Sequence, residues 1–183
     1  DAGDRSTKKW IEFRERRRDA PGPKRPLIYC SRGSFRGPDN SFFNALTATF
    51  SRRTDWDLVL GLGAKSSPPP ELEALPNVLC LDWAPQLDIL HNADCAVHHG
   101  GISTVNECVF CGVPMVVYPH ELDQEGNAAR VSFHGVGVAG ANNGWQADSL
   151  ESDITQCLEN KFVAAAIKAK KEALREYDKT NKA

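Results

Sequence analysis

The stretch Val97-His98-His99-Gly100-Gly101-Ile102-Ser103-Thr104 joins a short apolar run, Cys95–His98, to an amphipathic one, Ser103–Cys111. The first reads as a buried strand. The second reads as a helix closed by Gly112 and Pro114. A glycine pair between strand and helix lets the backbone approach a ligand closely. Ser103 and Thr104 are expected as N-caps, and the first helical turn offers free N–H groups and the positive end of the dipole. That is the make-up of a phosphate-binding turn, with His99 at its lip as a further donor. The plainer alternative is a capped helix beside a core histidine.

The same rhythm runs outward in both directions. Upstream, the spacing predicts strands over Leu27–Cys30, Leu58–Leu62 and Val78–Leu81, with helices over Ser41–Phe50 and Gln86–His91. A Pro-rich loop is expected at Ser66–Pro70. Downstream, Met115–Tyr118 reads as a strand, Asp123–Phe133 as a helix, Val136–Ala139 as a last strand, and Ser149–Lys179 as helical. Strands of near-continuous apolar residues alternating with helices imply a parallel sheet covered on both faces. The expected fold is α/β, a single doubly wound sheet of about six strands, with ligands at the carboxyl ends of the strands.

The chain has 183 residues, 41% hydrophobic and 25% charged, the balance of an ordinary globular domain. Its 22 Lys and Arg against 24 Asp and Glu give a net charge of −2, which provides no overall field to draw in nucleic acid. No apolar stretch approaches the roughly 20 residues that span a bilayer, and the polar start does not read as a signal peptide. Residues 1–26, with the run Arg14-Glu15-Arg16-Arg17-Arg18 and a Pro/Gly segment, read as a solvated helix and linker docking loosely on the domain beyond Pro26. Six cysteines raise the question of disulfides. Cys30, Cys80 and Cys95 fall in strand-like runs, and the Cys108–Cys111 pair has neither a second CxxC nor the histidine spacing of a zinc site. Core thiols in a reducing, cytoplasmic compartment are expected.

Further candidates fall on the same sheet edge. Ser31-Arg32-Gly33-Ser34, with Gly37 and Pro38 behind, forms a second glycine turn after the first strand. Gly61-Leu62-Gly63-Ala64-Lys65-Ser66 lacks the spacing of a nucleotidase phosphate loop, and there is no G-x-G-x-x-G. Trp83, in Trp83-Ala84-Pro85-Gln86, could offer a flat face to a base. Glu107, one helical turn past Ser103, could accept from a ribose diol, and Asp123 and Gln124 could take sugar hydroxyls.

The order of these motifs resembles the donor-binding signature of the UDP-glycosyltransferase superfamily, in the C-terminal half of the GT-B fold. W-A-P-Q (Trp83–Gln86) is followed by H-x-G-x-S-T (His99–Thr104), Glu107, G-V-P-M (Gly112–Met115), Pro119 and D-Q-x-x-N-A (Asp123–Ala128). The resemblance covers most of residues 10–140. It implies a linker over residues 1–26, a UDP-sugar donor-binding domain over 27–160 and a C-terminal helix over 161–183. Within that domain it implies that Trp83 stacks on uracil, the Ala84 backbone reads its edge, and Gln86 and Glu107 hold the ribose. Ser34, His99, Ser103 and Thr104 would grip the diphosphate beside Gly33 and Gly101, with Asp123 and Gln124 on the hexose. Ile102 stands where plant members carry a tryptophan, so the motif looks closer to bacterial or fungal members.

The activity implied is inverting transfer of a hexose, glucose by preference, from UDP-sugar to a hydroxyl of a small-molecule acceptor, with no metal and no cofactor beyond the co-substrate. No residue matches the family's general-base histidine. His91, His98, His120 and His134 sit in donor-half positions, so no catalytic residue is assigned and the 183 residues alone are expected to bind without transfer. The acceptor would be held by a further N-terminal domain or a partner chain. A UDP-sugar-binding regulatory module is the alternative, and a GT-B epimerase acting on UDP-N-acetylglucosamine a third.

Overall fold

Along strand β1 (Leu27–Ser31) successive side chains go to opposite faces of the sheet, and nearly all are buried. Ile28 and Cys30 enter one apolar cluster, Leu27 and Tyr29 the other. A strand buried on both sides needs helices on both faces, which fixes the layering. The computed structural model describes residues 1–31, 33, 40–63, 67–140 and 145–181, apart from the side chains of Ala2 and Asn181.

The remaining elements are α1 (Ala2–Asp19), α2 (Asn40–Arg52), β2 (Asp57–Gly61), α3 (Pro70–Glu73), β3 (Val78–Leu81), α4 (Gln86–Leu90) and β4 (Cys95–His98). They continue with α5 (Ile102–Cys111), β5 (Met115–Val117), α6 (Gln124–Phe133), β6 (Gly137–Ala139), α7 (Ala147–Glu159) and α8 (Lys161–Asn181). The strands pair in parallel in the order β3-β2-β1-β4-β5-β6. This is the doubly wound α/β sheet expected from the sequence. Its strand order reverses between β1 and β4, the switch point where such sheets hold ligands.

One face is covered by α2, through Phe42, Leu46 and Phe50, and by α7, through Leu150, Ile154 and Cys157. The other is covered by α1, α4, α5, α6 and α8, through Trp10, Ile89, Cys108, Val131 and Ile167. The apolar spacing anticipated in Ser41–Phe50 and Ser103–Cys111 therefore corresponds to the buried stripes of α2 and α5. All six cysteines are buried, and none is in a disulfide. Burial pushes the Cys80 thiol up to about 12, so it stays protonated as a small apolar group. Among the described residues no helix is long and apolar enough to cross a membrane.

Three features depart from the sequence reading. The Pro-rich loop runs into the short helix α3, which has proline in its first turn, where no N–H is needed, and buries Leu72 as its anchor. The stretch Ser149–Lys179 is two helices. They break at Asn160, whose backbone is extended and whose side chain accepts from the Phe162 N–H at 2.9 Å. The N-terminal stretch does not dock loosely. Trp10 is fully buried, Phe13 nearly so, and the Trp10 indole N–H donates to Asp88 Oδ2 at 2.5 Å. At the other end of α1, Arg17 pairs with Asp57 at 2.6 Å, both side chains buried, and Arg25 reaches the same carboxylate at 2.7 Å. The basic run reads as a solvated helix only because the acidic partner of Arg17 lies 40 positions away in sequence.

Candidate functional site

At the switch point Gly33, after β1, and Gly101, after β4, both stand against one imidazole, that of His99. Gly33 has φ +81°, a conformation open to glycine, and a Cβ there would lie 2.6 Å from His99 Cε1. A Cβ on Gly101 would lie 2.7 Å from His99 Nε2. The ring therefore occupies the space that two missing side chains leave, at the mouth of α5. Ser103 and Thr104 do not cap that helix. Its N-cap is Gly101, without a side-chain cap, and the two hydroxyl residues sit inside the first turn. The glycine pair brings the helix start forward of where a Ser or Thr cap would put it. Among the described residues no side chain caps the first-turn N–H groups, which lie at the positive dipole end.

A depression of about 260 Å³ opens alongside, over the ends of β1, β2 and β3. Gly33, Trp83, Ala84, Gln86 and Thr104 all line it. The Trp83 side chain is exposed (57%), and its backbone N–H donates to Ser6 Oγ of α1 at 3.3 Å. Gln86 donates through Nε2 to Glu107 Oε2 and, more weakly, to Thr104 Oγ1 at 3.5 Å. Its Oε1 accepts from the buried Tyr29 hydroxyl at 2.8 Å.

Asp123 and Gln124, expected at the sugar, do not line this depression; they open α6 on the far side of the β4–α5 turn. Gln124 Oε1 accepts from the backbone N–H groups of His120 and Glu121 at 2.8 and 3.1 Å, which leaves its NH₂ as the donor end of the amide. Asp123 Oδ2 accepts from Asn127 Nδ2 at 2.8 Å, and the same Asn127 amide donates to the Gly100 carbonyl at 2.9 Å. The link from α6 to the glycine turn therefore runs through one buried asparagine. Ser34, together with Gly37, Pro38 and the stretch 64–66, lies outside the described residues.

His98 is the core histidine of the pair. Its Nδ1 accepts from the Gly100 N–H at 3.0 Å, which puts the ring proton on Nε2. Burial, with His99 adjacent, holds its pKa down to about 3, so the ring is neutral and serves as a brace for the turn. Sequence reasoning does not single out Tyr29 or Asn127 as site residues. Tyr29 sits at a core position of a buried strand, where an aromatic is ordinary. Asn127 enters only as part of a motif, although a polar residue on the buried stripe of an amphipathic helix is itself a signal.

The doubly wound sheet, with its switch point between β1 and β4, is the fold of the C-terminal domain of GT-B glycosyltransferases. Residues 47–180 match the erythromycin biosynthesis protein CIII-like C-terminal domain, and the chain belongs to that family. It is 30% identical over 150 residues to an uncharacterised UDP-glucosyltransferase, YdhE, of Bacillus subtilis (strain 168), covering 82% of this chain and 38% of the relative. It is 37% identical over 120 residues to the oleandomycin glycosyltransferase of Streptomyces antibioticus, covering 65% of this chain and 27% of that protein. Among solved structures, the kitacinnamycin glycotransferase aligns at a TM-score of 0.76 with 31% identity, over 86% of this chain and 42% of that one. The chain thus spans well under half the length of these relatives.

Proposed function

We propose that these residues form the nucleotide-sugar site of a glycosyltransferase that moves a hexose, glucose by preference, from UDP-sugar to a hydroxyl of a small-molecule acceptor with inversion. The observation that carries this reading is the convergence at one sheet edge of an exposed indole, a carboxamide–carboxylate pair and an uncapped helix start behind two glycines. Trp83 takes the uracil on its open face, Ala84 offers backbone to the base edge, and Gln86 with Glu107 receives the ribose hydroxyls. The first turn of α5, with His99, Ser103 and Thr104, receives the diphosphate. Asp123 and the NH₂ of Gln124 receive the hexose from across the Gly100 turn.

The chemistry is a matter of charge. When the glycosidic bond breaks, the diphosphate gains negative charge. N–H groups already aimed at it, at the positive end of a helix, stabilise that charge without reorganising. The reading needs no metal, and the acceptor with its general base is assigned to residues other than these. Six buried cysteines outside any disulfide favour a reducing, cytoplasmic setting.

Calorimetric titration with UDP, dTDP, GDP, UDP-glucose and UDP-N-acetylglucosamine tests it. Uridine nucleotides should bind in preference to GDP, and UDP-glucose should exceed UDP-N-acetylglucosamine. Equal binding of all bases, or none, would overturn the reading. Sugar transfer by the 183-residue polypeptide alone would overturn the division of labour. A regulatory role would show as donor binding that never leads to transfer, even with an acceptor-binding partner supplied.

A further inference from the structure

We propose that Tyr29 is a positioning residue that makes the site select ribose over 2′-deoxyribose, acting through Gln86; the inference rests on the donor-site reading above. Three observations lead to it. The Tyr29 phenol is buried in the middle of the sheet, yet its oxygen reaches the floor of the depression, 3.1 Å from where a Gly61 Cβ would stand. It meets Gln86 Oε1 at 2.8 Å. The other end of that carboxamide meets the carboxylate of Glu107.

These contacts determine one another's direction. A carboxylate only accepts, so the amide atom facing Glu107 is the nitrogen and the atom facing Tyr29 is the oxygen. The phenol must then donate. Burial, with the Glu107 charge nearby, raises its pKa, which keeps it a donor at any physiological pH. Ser31, at the end of β1 two residues on from Tyr29, accepts through its hydroxyl from the Gly33 N–H at 3.3 Å. The result is a carboxamide with no rotational choice. It occupies one oxygen of Glu107 and leaves the other as an acceptor whose hydrogen bond a ribose 2′-hydroxyl would supply. An acceptor held in one place discriminates against the analogue that lacks the donor. Without the phenol, Oε1 loses its partner and the amide rotates away. Water then solvates Glu107, and the 2′-hydroxyl ceases to matter.

The test is a comparison of Kd for UDP and 2′-deoxy-UDP in the intact chain, in Tyr29→Phe, in Gln86→Ala and in the double variant. The intact chain should prefer UDP by about tenfold, the order of one well-placed hydrogen bond, and Tyr29→Phe should bring the ratio to about two or below. Adding Tyr29→Phe to Gln86→Ala should change nothing further, because the phenol acts only through the amide. Should Tyr29→Phe fail to fold, Gln86→Ala must still show the collapsed ratio. A ratio kept in Tyr29→Phe, or an equal loss with and without Gln86, overturns the proposal. UDP binding without any ribose preference overturns it alone. No UDP binding by the intact chain overturns the donor-site reading with it.

Discussion

Replacing Trp10 by alanine tests whether α1 is part of the fold or an appendage. The side chain is fully buried, its ring lies 6.4 Å from Phe13, and its N–H is bonded to Asp88. Truncating a buried tryptophan costs about 3–5 kcal/mol in lost transfer energy and residual cavity. Asp88 keeps its ion pair with Arg14 at 3.2 Å and half of its side chain stays in solvent, so no unpaired-charge penalty adds to that. With a urea m-value of about 2 kcal/mol/M, the unfolding midpoint should fall by about 2 M. Ile11→Ala, next along the helix at a position 38% exposed, should move it by a few tenths of that. Because α1 also holds the Trp83 backbone through Ser6 and α4 through Asp88, Trp10→Ala should weaken UDP binding as well. A Trp10→Ala midpoint within about 0.3 M of the unsubstituted chain, which corresponds to less than 1 kcal/mol, would refute the docking of α1.

Three further outcomes are expected. His98 has a folded pKa near 3 and an unfolded value near 6.5, so between these values the unfolded chain takes a proton that the folded chain refuses; stability should fall as pH drops through that window, by up to about 1.4 kcal/mol per pH unit, and His98→Asn should flatten the slope of urea midpoint against pH. Gly101→Ala places a methyl 2.7 Å from the His99 ring on backbone at φ −59°, which alanine adopts freely; the fold should survive by circular dichroism while UDP affinity drops at least about tenfold, an outcome that unchanged affinity would contradict. Arg17→Met leaves Asp57, 1% exposed, with only the partly exposed Arg25; urea denaturation should show a loss of about 3–5 kcal/mol, and Asp57→Asn combined with Arg17→Met should recover part of it.

The fold was legible because its evidence is periodic. Strands of four or five apolar residues, helices with Phe42, Leu46 and Phe50 on one stripe, and glycine at the end of α5 recur in an order that only a doubly wound sheet accommodates. That Trp83 and Gln86 share a depression and that Gln86 meets Glu107 could be anticipated because these residues fall at a strand end and one helical turn from the glycine pair. What could not be read was pairing at long range. Nothing local to Arg17 announces Asp57, and nothing local to Tyr29 announces Gln86, 57 positions on. The cap of α5 was misplaced by a rule of side-chain preference. Ser103 and Thr104 are good caps by chemistry, but the chain turns at Gly101 because His99 needs the room.

The most direct measurement is a proton–nitrogen correlation spectrum of the labelled chain titrated with UDP. Shifts should gather at the Trp83 indole, the Gln86 side-chain amide, Gly33 and the backbone N–H groups from Gly101 to Glu107, with α8 unmoved. Shifts gathered instead at the basic hollow between Lys24 and Lys168, or spread without a centre, would contradict the placement of the donor at the β1–β4 switch point.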